Sequence, residues 1–240
     1  MKSAERHHLK ENEIAIAAAR VTAVIEENPS RALLIGGAVL LAVVVAGGFY
    51  TWRKHSADQA GAGLGVARAI QQAQIAPAST LPGATQVPGT YPTEKARDEA
   101  ALAAFQDVVT KFPGTPAAQA AGYEVAAEYL ALGKPADAET AFKKVADEAG
   151  SSVYGPMARM GVGQAQAASG KYDDAIKTFT DLAAERDSVL PVDGVLAELG
   201  RVQLKAGKTP EARATLKRVV DDFPESGYVA DAKQQLAAIN

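Results

Sequence analysis

Apolar positions follow two different patterns along this chain. Residues 32–52 are 21 consecutive positions without a charge, with Arg31 before them and Arg53 after them. Beyond residue 94, apolar and small residues instead recur at a fixed step of 37 positions. The first pattern predicts a continuous apolar helix, and the second predicts a domain built from repeated helical units.

The apolar run has the length and the flanks of a membrane-spanning helix. At the rise of an α-helix it covers roughly 31 Å, and the hydrocarbon core of a bilayer is about 30 Å thick. It ends with Phe49, Tyr50 and Trp52, whose rings are of the kind that lie at the headgroup level. A soluble core helix would normally carry a polar face, and a signal peptide would have a shorter apolar region. We therefore predict a single transmembrane helix over residues 29–56.

The segments around this helix differ in composition. Residues 1–28 contain four basic and five acidic residues, and Arg31 follows as a fifth basic residue. They are predicted to form a charged helical segment. This segment either lies on the membrane or on a partner, or is a solvated tail. Residues 57–75 are predicted to form a juxtamembrane helix. Residues 76–93 contain four prolines and no charge, which indicates a linker or an insertion.

Residues 94–240 are predicted to form a repeat domain. Gly133, Gly170 and Gly207 are 37 positions apart, and each precedes a lysine. The same step relates three further sets, namely Ala101, Ala138, Ala175 and Ala212; Phe105, Phe142, Phe179 and Leu216; and Val108, Val145, Leu182 and Val219.

Each period is interpreted as a helical hairpin that ends its first helix at the glycine. The predicted hairpins cover 116–149, 153–187 and 190–223, with a preceding helix at 94–112 and a capping helix at 227–239. Residues 57–75 could supply the missing partner of helix 94–112.

The middle repeat shows a familiar spacing of small and large residues. Gly163, Gly170, Tyr172, Ala175 and Phe179 resemble the pattern of a tetratricopeptide repeat, whose usual period is 34 residues. The predicted fold is therefore all-α, with one transmembrane helix followed by a tetratricopeptide-like α-solenoid. The small positions, of which Gly163 is one, are predicted to lie where the two helices of a hairpin cross.

Two candidate interaction faces follow from this arrangement. A repeat stack presents a surface built mainly from the first helix of each hairpin. That surface, called the inner surface below, is predicted to contain Tyr123, Ala127, Leu130, Met157, Met160, Gln164, Arg201 and Lys205. Methionine and tyrosine side chains suit an adaptable partner groove, although the same residues would also serve as packing between repeats. In the transmembrane helix, Ala38, Ala42 and Ala46 form a candidate helix-docking face, although small residues are common in such helices.

Composition argues against several classes of function. From Glu94 onwards there are 17 Lys and Arg against 22 Asp and Glu, a charge of about −5, so no basic face for nucleic acid is expected. The three histidines are His7, His8 and His55, and there is no cysteine. The repeat domain therefore lacks the residues for a Ser/His/Asp triad, a thiolate zinc site or a lipidated cysteine. We expect no catalytic, metal or cofactor site, and hence a non-enzymatic protein.

The order of the segments resembles that of the YfgM-like ancillary subunits of the bacterial SecYEG translocon. The resemblance rests on the short charged segment, the membrane helix ending in Phe49-Tyr50-Thr51-Trp52-Arg53, and the tetratricopeptide hairpins that follow. It implies an inner-membrane protein with a cytoplasmic N-terminus and a periplasmic repeat domain. Charge does not decide this topology, since two basic residues lie near the run on one side and three on the other. The implied partners are the lipid bilayer, the SecYEG translocon, and a periplasmic chaperone or unfolded client polypeptides.

A second resemblance keeps an alternative open. Phe112-Pro113-Gly114-Thr115-Pro116 and the run starting at Phe223-Pro224 are similar to segments of other envelope tetratricopeptide proteins, including outer-membrane assembly lipoproteins and cell-division coordinators. The lipoproteins are disfavoured because the chain has no cysteine to lipidate. The alternative function is an envelope assembly scaffold without translocon contact.

Overall fold

A computed structural model describes residues 29–77, 86–150, 152–185 and 189–239, so the predicted helical segment 1–28 lies outside the described residues. Within these ranges the regular elements are all α-helices. They are α1 (Pro29–Gln71), α2 (Glu94–Lys111), α3 (Pro116–Ala131), α4 (Pro135–Glu148), α5 (Tyr154–Ala168), α6 (Tyr172–Ala184), α7 (Val192–Lys205), α8 (Thr209–Asp222) and α9 (Val229–Ala238). The chain divides between His55 and Ser56 into two compact units, which are described in turn.

The first unit contains the apolar part of α1. Its large side chains face outward, with Leu33 78% and Val44 63% exposed. The rings of Phe49 and Trp52 lie against each other with centroids 5.9 Å apart. By length and composition, the segment Leu33–Gln71 could cross a membrane. The helix ends at Gln71.

The second unit is a series of antiparallel hairpins that turn at glycines. Gly133, Gly170 and Gly207 have φ angles of +68°, +74° and +73°. This left-handed conformation suits glycine and lets the next backbone N–H bond back into the finished helix. At the first turn the Lys134 N–H donates to the Tyr129 carbonyl over 2.8 Å. The 37-residue spacing of these glycines therefore marks the turns of the hairpins α3–α4, α5–α6 and α7–α8.

The starts of α2 and α3 are fixed by threonine caps. The hydroxyls of Thr93 and Thr115 accept hydrogen bonds of 3.1 Å from the N–H groups of Ala96 and Ala118. Pro116 occupies the first position of α3, where a missing N–H removes no helical hydrogen bond. In the sequence, the Thr115-Pro116 pair indicates where α3 begins.

The core consists of the residues that recur at 37-residue steps. The four large ones, Phe105, Phe142, Phe179 and Leu216, are each at most 2% exposed. A β-carbon added to Gly163 would lie 2.7 Å from Phe179 Cζ, which shows that glycine allows the close crossing of α5 and α6. The Phe142 ring also faces the next hairpin, since a β-carbon on Gly161 would lie 2.5 Å from it. Each large residue thus packs within its own hairpin, and Phe142 also joins its hairpin to the next.

The C-terminal part of α1 packs on α2 as the first helix of an additional hairpin. Ala67 is fully buried in one cluster with Phe105 and its neighbours. Gly63 faces Val108, and in the same way Gly122, 59 positions later, faces Val145. β-Carbons added to these two glycines would lie 3.0 and 3.2 Å from the respective valines. Since 59 exceeds the 37-residue period by 22, the connection between α1 and α2 contains an insertion.

The described ends of this insertion are held together by backbone hydrogen bonds. Ile75 and Tyr91 form an isolated parallel β-bridge. The Ala76 N–H donates to the Tyr91 carbonyl over 2.8 Å, and the Tyr91 N–H donates to the Gln74 carbonyl over 3.0 Å. The Gln86 amide adds a 2.8 Å hydrogen bond to the Ala76 carbonyl. The connection therefore leaves and rejoins the stack at one place.

Candidate interaction surfaces

The predicted inner-surface residues all lie on the first helices of the hairpins. Tyr123, Ala127 and Leu130 are on α3, Met157, Met160 and Gln164 on α5, and Arg201 and Lys205 on α7. All are half-buried except Lys205, which is exposed. They divide between clusters: Tyr123, Ala127 and Leu130 border the core of the first full hairpins, whereas Met160 borders the next cluster. Several of them therefore contribute to packing between repeats.

Tyr123 shows this packing most clearly. Its ring lies edge-on to Phe142, with centroids 5.4 Å apart, and 6.0 Å from the ring of Tyr154. Burial raises the pKa of the Tyr123 phenol above its ordinary value, with a smaller contribution from the nearby carboxylate of Glu124. The side chain joins α3 to its own hairpin partner α4 and to the start of the next hairpin.

The polar members lie toward the C-terminal end of the stack. The Arg201 guanidinium donates to Glu198 over 2.8 Å and to Asp231 on α9 over 3.1 Å. The pair with Asp231 connects the last full hairpin to the capping helix, whereas Glu198 lies on α7 itself. Gln164 occupies the equivalent position one period earlier, so the surface changes from aromatic and apolar on α3 to charged on α7.

The alanines predicted to dock another helix lie on one face of α1. Ala38, Ala42 and Ala46 are spaced by four residues and are exposed. β-Carbons added to the flanking Gly37 or Gly47 would meet no atom within 4 Å. The three alanines therefore form a row of small side chains spaced about one helical turn apart.

Sequence reasoning missed a buried acidic residue on α4. The Glu139 carboxylate accepts hydrogen bonds from Lys143 over 2.6 Å, from Lys171 over 2.8 Å and from Gln166 over 3.4 Å. These cationic partners lower the pKa of Glu139 to about 2. Because Gln166 and Lys171 belong to the next hairpin, the carboxylate connects two repeats. No sequence motif indicates Glu139. It could have been identified only as an acidic residue at a position of α4 that is buried.

A second buried acid, on α3, lies in the opposite environment. Glu128 is 3% exposed, and its Oε1 accepts a 2.8 Å hydrogen bond from Gln71, whereas its Oε2 has no hydrogen-bond partner. Burial raises the pKa of this carboxyl, and the negative charges of Asp98 and Glu124 raise it further. One and two periods later the same position holds Ala165 and Val202, which are core residues. That mismatch is the signal that could have identified Glu128.

Among the described residues, no group of three or more His, Cys, Asp or Glu side chains is arranged to hold a metal ion. The arrangement offers packed helical faces, polar rims and grooves between helices, which are features of protein recognition.

Comparison with solved structures gives the same architecture. Crystal structures of the TPR-like repeats of a proposed kinesin light chain from Podosopora anserina superpose on this chain, in two versions that differ by a point substitution. The substituted version has a TM-score of 0.57 and 17% identity over 77% of this chain and 86% of that one. The other has a TM-score of 0.56 and 17% identity over 76% and 86%. At such identities the likeness concerns the fold alone.

Comparison of sequences is more decisive about the family. No curated protein matches the chain significantly. The family model described as "Tetratricopeptide repeat-like domain" matches residues 30–240, which include the apolar helix and all the hairpins. The chain therefore belongs to the tetratricopeptide repeat-like domain family.

Proposed function

We propose that this protein is a non-enzymatic, membrane-anchored interaction scaffold that works beside the Sec translocon, in the manner of the YfgM-like ancillary subunits. The observation that carries the proposal is the outward-facing apolar surface of α1. Apolar area exposed to water is unfavourable by roughly 25 cal/mol per Å². A bilayer removes that surface from water over the length of the run, and Arg53 and Lys54 follow it at the polar boundary.

The repeat hairpins supply the binding function. Tetratricopeptide-like stacks present an extended surface to protein partners, and the family carries no catalytic machinery of its own. The inner surface would receive an emerging client or a periplasmic chaperone, with Met157, Gln164 and Lys205 as the contacts least committed to the core. The N-terminus would be cytoplasmic and the repeat domain periplasmic, as the resemblance implies.

The alanine face of α1 would dock on helices of the translocon. Small residues let a second helix approach closely within the membrane. Val44 lies two residues from Ala42 and so points about 200° away around the helix. These two positions therefore sample opposite sides of the same segment at almost the same depth.

Photo-crosslinking in living cells tests the translocon association. With a photoreactive residue at Ala42, we expect crosslinks to translocon subunits, and with the same residue at Val44 we expect few. Consistent absence of translocon subunits from both positions would contradict the proposal. Crosslinks to other envelope proteins instead would favour the alternative of an assembly scaffold for cell division or outer-membrane biogenesis.

A further inference from the structure

A groove lies between the second helices of two successive hairpins, away from the inner surface. Helices α2 and α4 form its walls and α3 forms its floor, around a cavity of about 350 Å³. Val109, Val125, Ala141 and Val145 give it an apolar lining. This size is at the lower end of the range for ligand pockets and suits one bulky apolar group. We call it the first groove.

The same groove recurs one period later, between α4 and α6 over α5, with a volume of about 320 Å³. Each residue that lines it lies 37 positions after a residue that lines the first groove. On the floor, Gly122 of the first groove corresponds to Arg159 of the second and to Leu196 one period further on. Leu196 is fully buried. The chain thus fills this position with its own side chain in two places and leaves it empty in one.

A side chain at position 122 would be less crowded than one at the glycines of the helix crossings. An added β-carbon there would lie 3.2 Å from Val145 Cγ2, so the valine side chain would have to move by a few tenths of an ångström. At Gly161, Gly163 and Gly200 the corresponding distances are 2.5, 2.7 and 2.7 Å, so those glycines are sterically required. A glycine inside a helix is roughly 1 kcal/mol less favourable than alanine. Glycine at this position therefore leaves the floor of the first groove open, although alanine would favour the helix more.

The charged residues at the rim of the groove also differ between repeats. In the second groove the Arg159 guanidinium pairs with both carboxylate oxygens of Glu185. One period further on, Asp222 is the equivalent of Glu185 and pairs with Arg218 at 3.5 Å.

In the first groove, Glu148 on α4 is equivalent to Glu185 and Asp222, and Lys144 is equivalent to Asp181 and Arg218. Lys144 and Glu148 are both exposed, and within the described parts of the chain neither side chain takes part in an ion pair. One turn of helix separates them. The first groove thus has an open apolar floor with one unpaired positive and one unpaired negative charge beside it.

We propose that the first groove is a docking site for a helix of a partner protein. That helix inserts one leucine-sized or aromatic side chain over Gly122, and carries an acidic and a basic residue four positions apart to meet Lys144 and Glu148. The chain itself indicates the apolar anchor, because the equivalent third position is filled by Leu196. The site is separate from the inner surface and does not depend on translocon association.

Titration of the full-length chain with a defined helical peptide tests this site. The probe is an alanine-based peptide of about 15 residues with one central leucine and a glutamate and a lysine four positions apart. With methyl-labelled valines, we expect saturable NMR shifts at Val109 and Val125 and none at Val162 of the second groove. Replacing the leucine of the peptide by alanine should weaken binding at least about tenfold, because leucine burial contributes roughly 1.5–3 kcal/mol.

Two variants of the protein complete the test. Gly122→Leu copies the filled floor of the third position and should abolish the shifts at Val109 and Val125. The exposed double variant Lys144→Glu with Glu148→Lys, which leaves the core untouched, should weaken binding of the peptide and restore it for a peptide with swapped charges. The proposal is overturned by the absence of saturable shifts in the unsubstituted chain, by their persistence in Gly122→Leu, or by indifference to the charge reversal.

Discussion

Glu128 and Glu139 are both buried acids in one stack of helices, yet their surroundings act on them in opposite directions. Glu139 has two lysines within hydrogen-bond distance, which stabilise its ionised form. Burial and the nearby acids Asp98 and Glu124 favour the protonated form of Glu128, and the single hydrogen bond from the neutral Gln71 amide offsets this only in part. Since a pKa difference between folded and unfolded chain makes stability depend on pH, these residues predict opposite slopes.

Glu139 is expected to stabilise the fold above its unfolded pKa of 4.5. Its folded pKa of about 2 is lower, so its contribution is present above pH 4.5 and is lost as pH falls toward 2. Glu139→Gln should lower the free energy of unfolding at pH 7 by about 1–3 kcal/mol, the smaller values reflecting solvent around the two half-exposed lysines. Urea unfolding at pH 7 and at pH 3 measures this. An equal loss at both pH values would contradict the assignment.

Glu128 should behave in the opposite way. Its folded pKa is raised, so the ionised carboxylate destabilises the fold and stability falls as pH rises above 4.5. Glu128→Gln retains an acceptor for Gln71 and cannot ionise, so we expect it to raise the free energy of unfolding at pH 7 by about 1 kcal/mol. The gain should disappear near pH 4. If Glu128→Gln is less stable than the unsubstituted chain at pH 7, the carboxylate has a favourable role that its environment does not indicate.

These residues also mark what the sequence could not reveal. Regular spacing identified the positions of Phe142, Phe179 and Gly163, because each repeat requires the same large and small residues at the same place. Spacing also placed Tyr123 on the first helix of its hairpin, but it could not distinguish a partner contact from the ring packing with Phe142 and Tyr154. Buried acids escape such reasoning because they occur in single repeats.

At the scale of the helical elements, the hairpin is the unit that the sequence predicts most reliably. Its turn needs a left-handed glycine, and its crossing needs a small residue opposite a large one, so both leave a periodic signal. The additional hairpin α1–α2 was harder to recognise. Its insertion shifts Gly63 to 59 positions before Gly122, which removes the periodic signal from α1.

The crossing of α5 and α6 gives a direct test of the hairpin geometry. Gly163→Leu would place a β-carbon 2.7 Å from Phe179 Cζ and three further carbons beyond it. Overpacking of this kind costs typically about 1–3 kcal/mol, and the neighbouring interfaces of a repeat stack should weaken with it. The control is Asp174→Ala on the exposed face of α6, which should change stability by no more than about 0.5 kcal/mol.

Urea unfolding of the full-length chain in mild detergent, followed by circular dichroism, separates the two variants. We expect a lower midpoint for Gly163→Leu and an almost unchanged midpoint for Asp174→Ala. If the order is reversed, the proposed pairing of small and large residues within each hairpin is wrong.

At the scale of the whole molecule, two kinds of surface occur in one chain. From Leu33 to Trp52 the large apolar side chains face outward, whereas from Ser56 onward large apolar residues such as Phe105, Phe142 and Phe179 form buried clusters. Water favours the second arrangement and opposes the first. We therefore expect the chain to occupy two environments, an expectation that its hydropathy pattern gives without any information on the fold.

The orientation in the membrane is the remaining prediction, and protease access measures it. If the N-terminus is cytoplasmic, a protease added outside intact spheroplasts should digest the chain after Trp52 and spare residues 1–28. Basic residues near the apolar run are almost balanced, and long domains cross largely regardless of charge, so the charges alone do not set this outcome. Disruption of the membrane with detergent supplies the control, because it should expose the N-terminal segment as well. Protection of the repeat hairpins in intact spheroplasts would overturn both the translocon proposal and the envelope-scaffold alternative, since both require these hairpins outside the inner membrane.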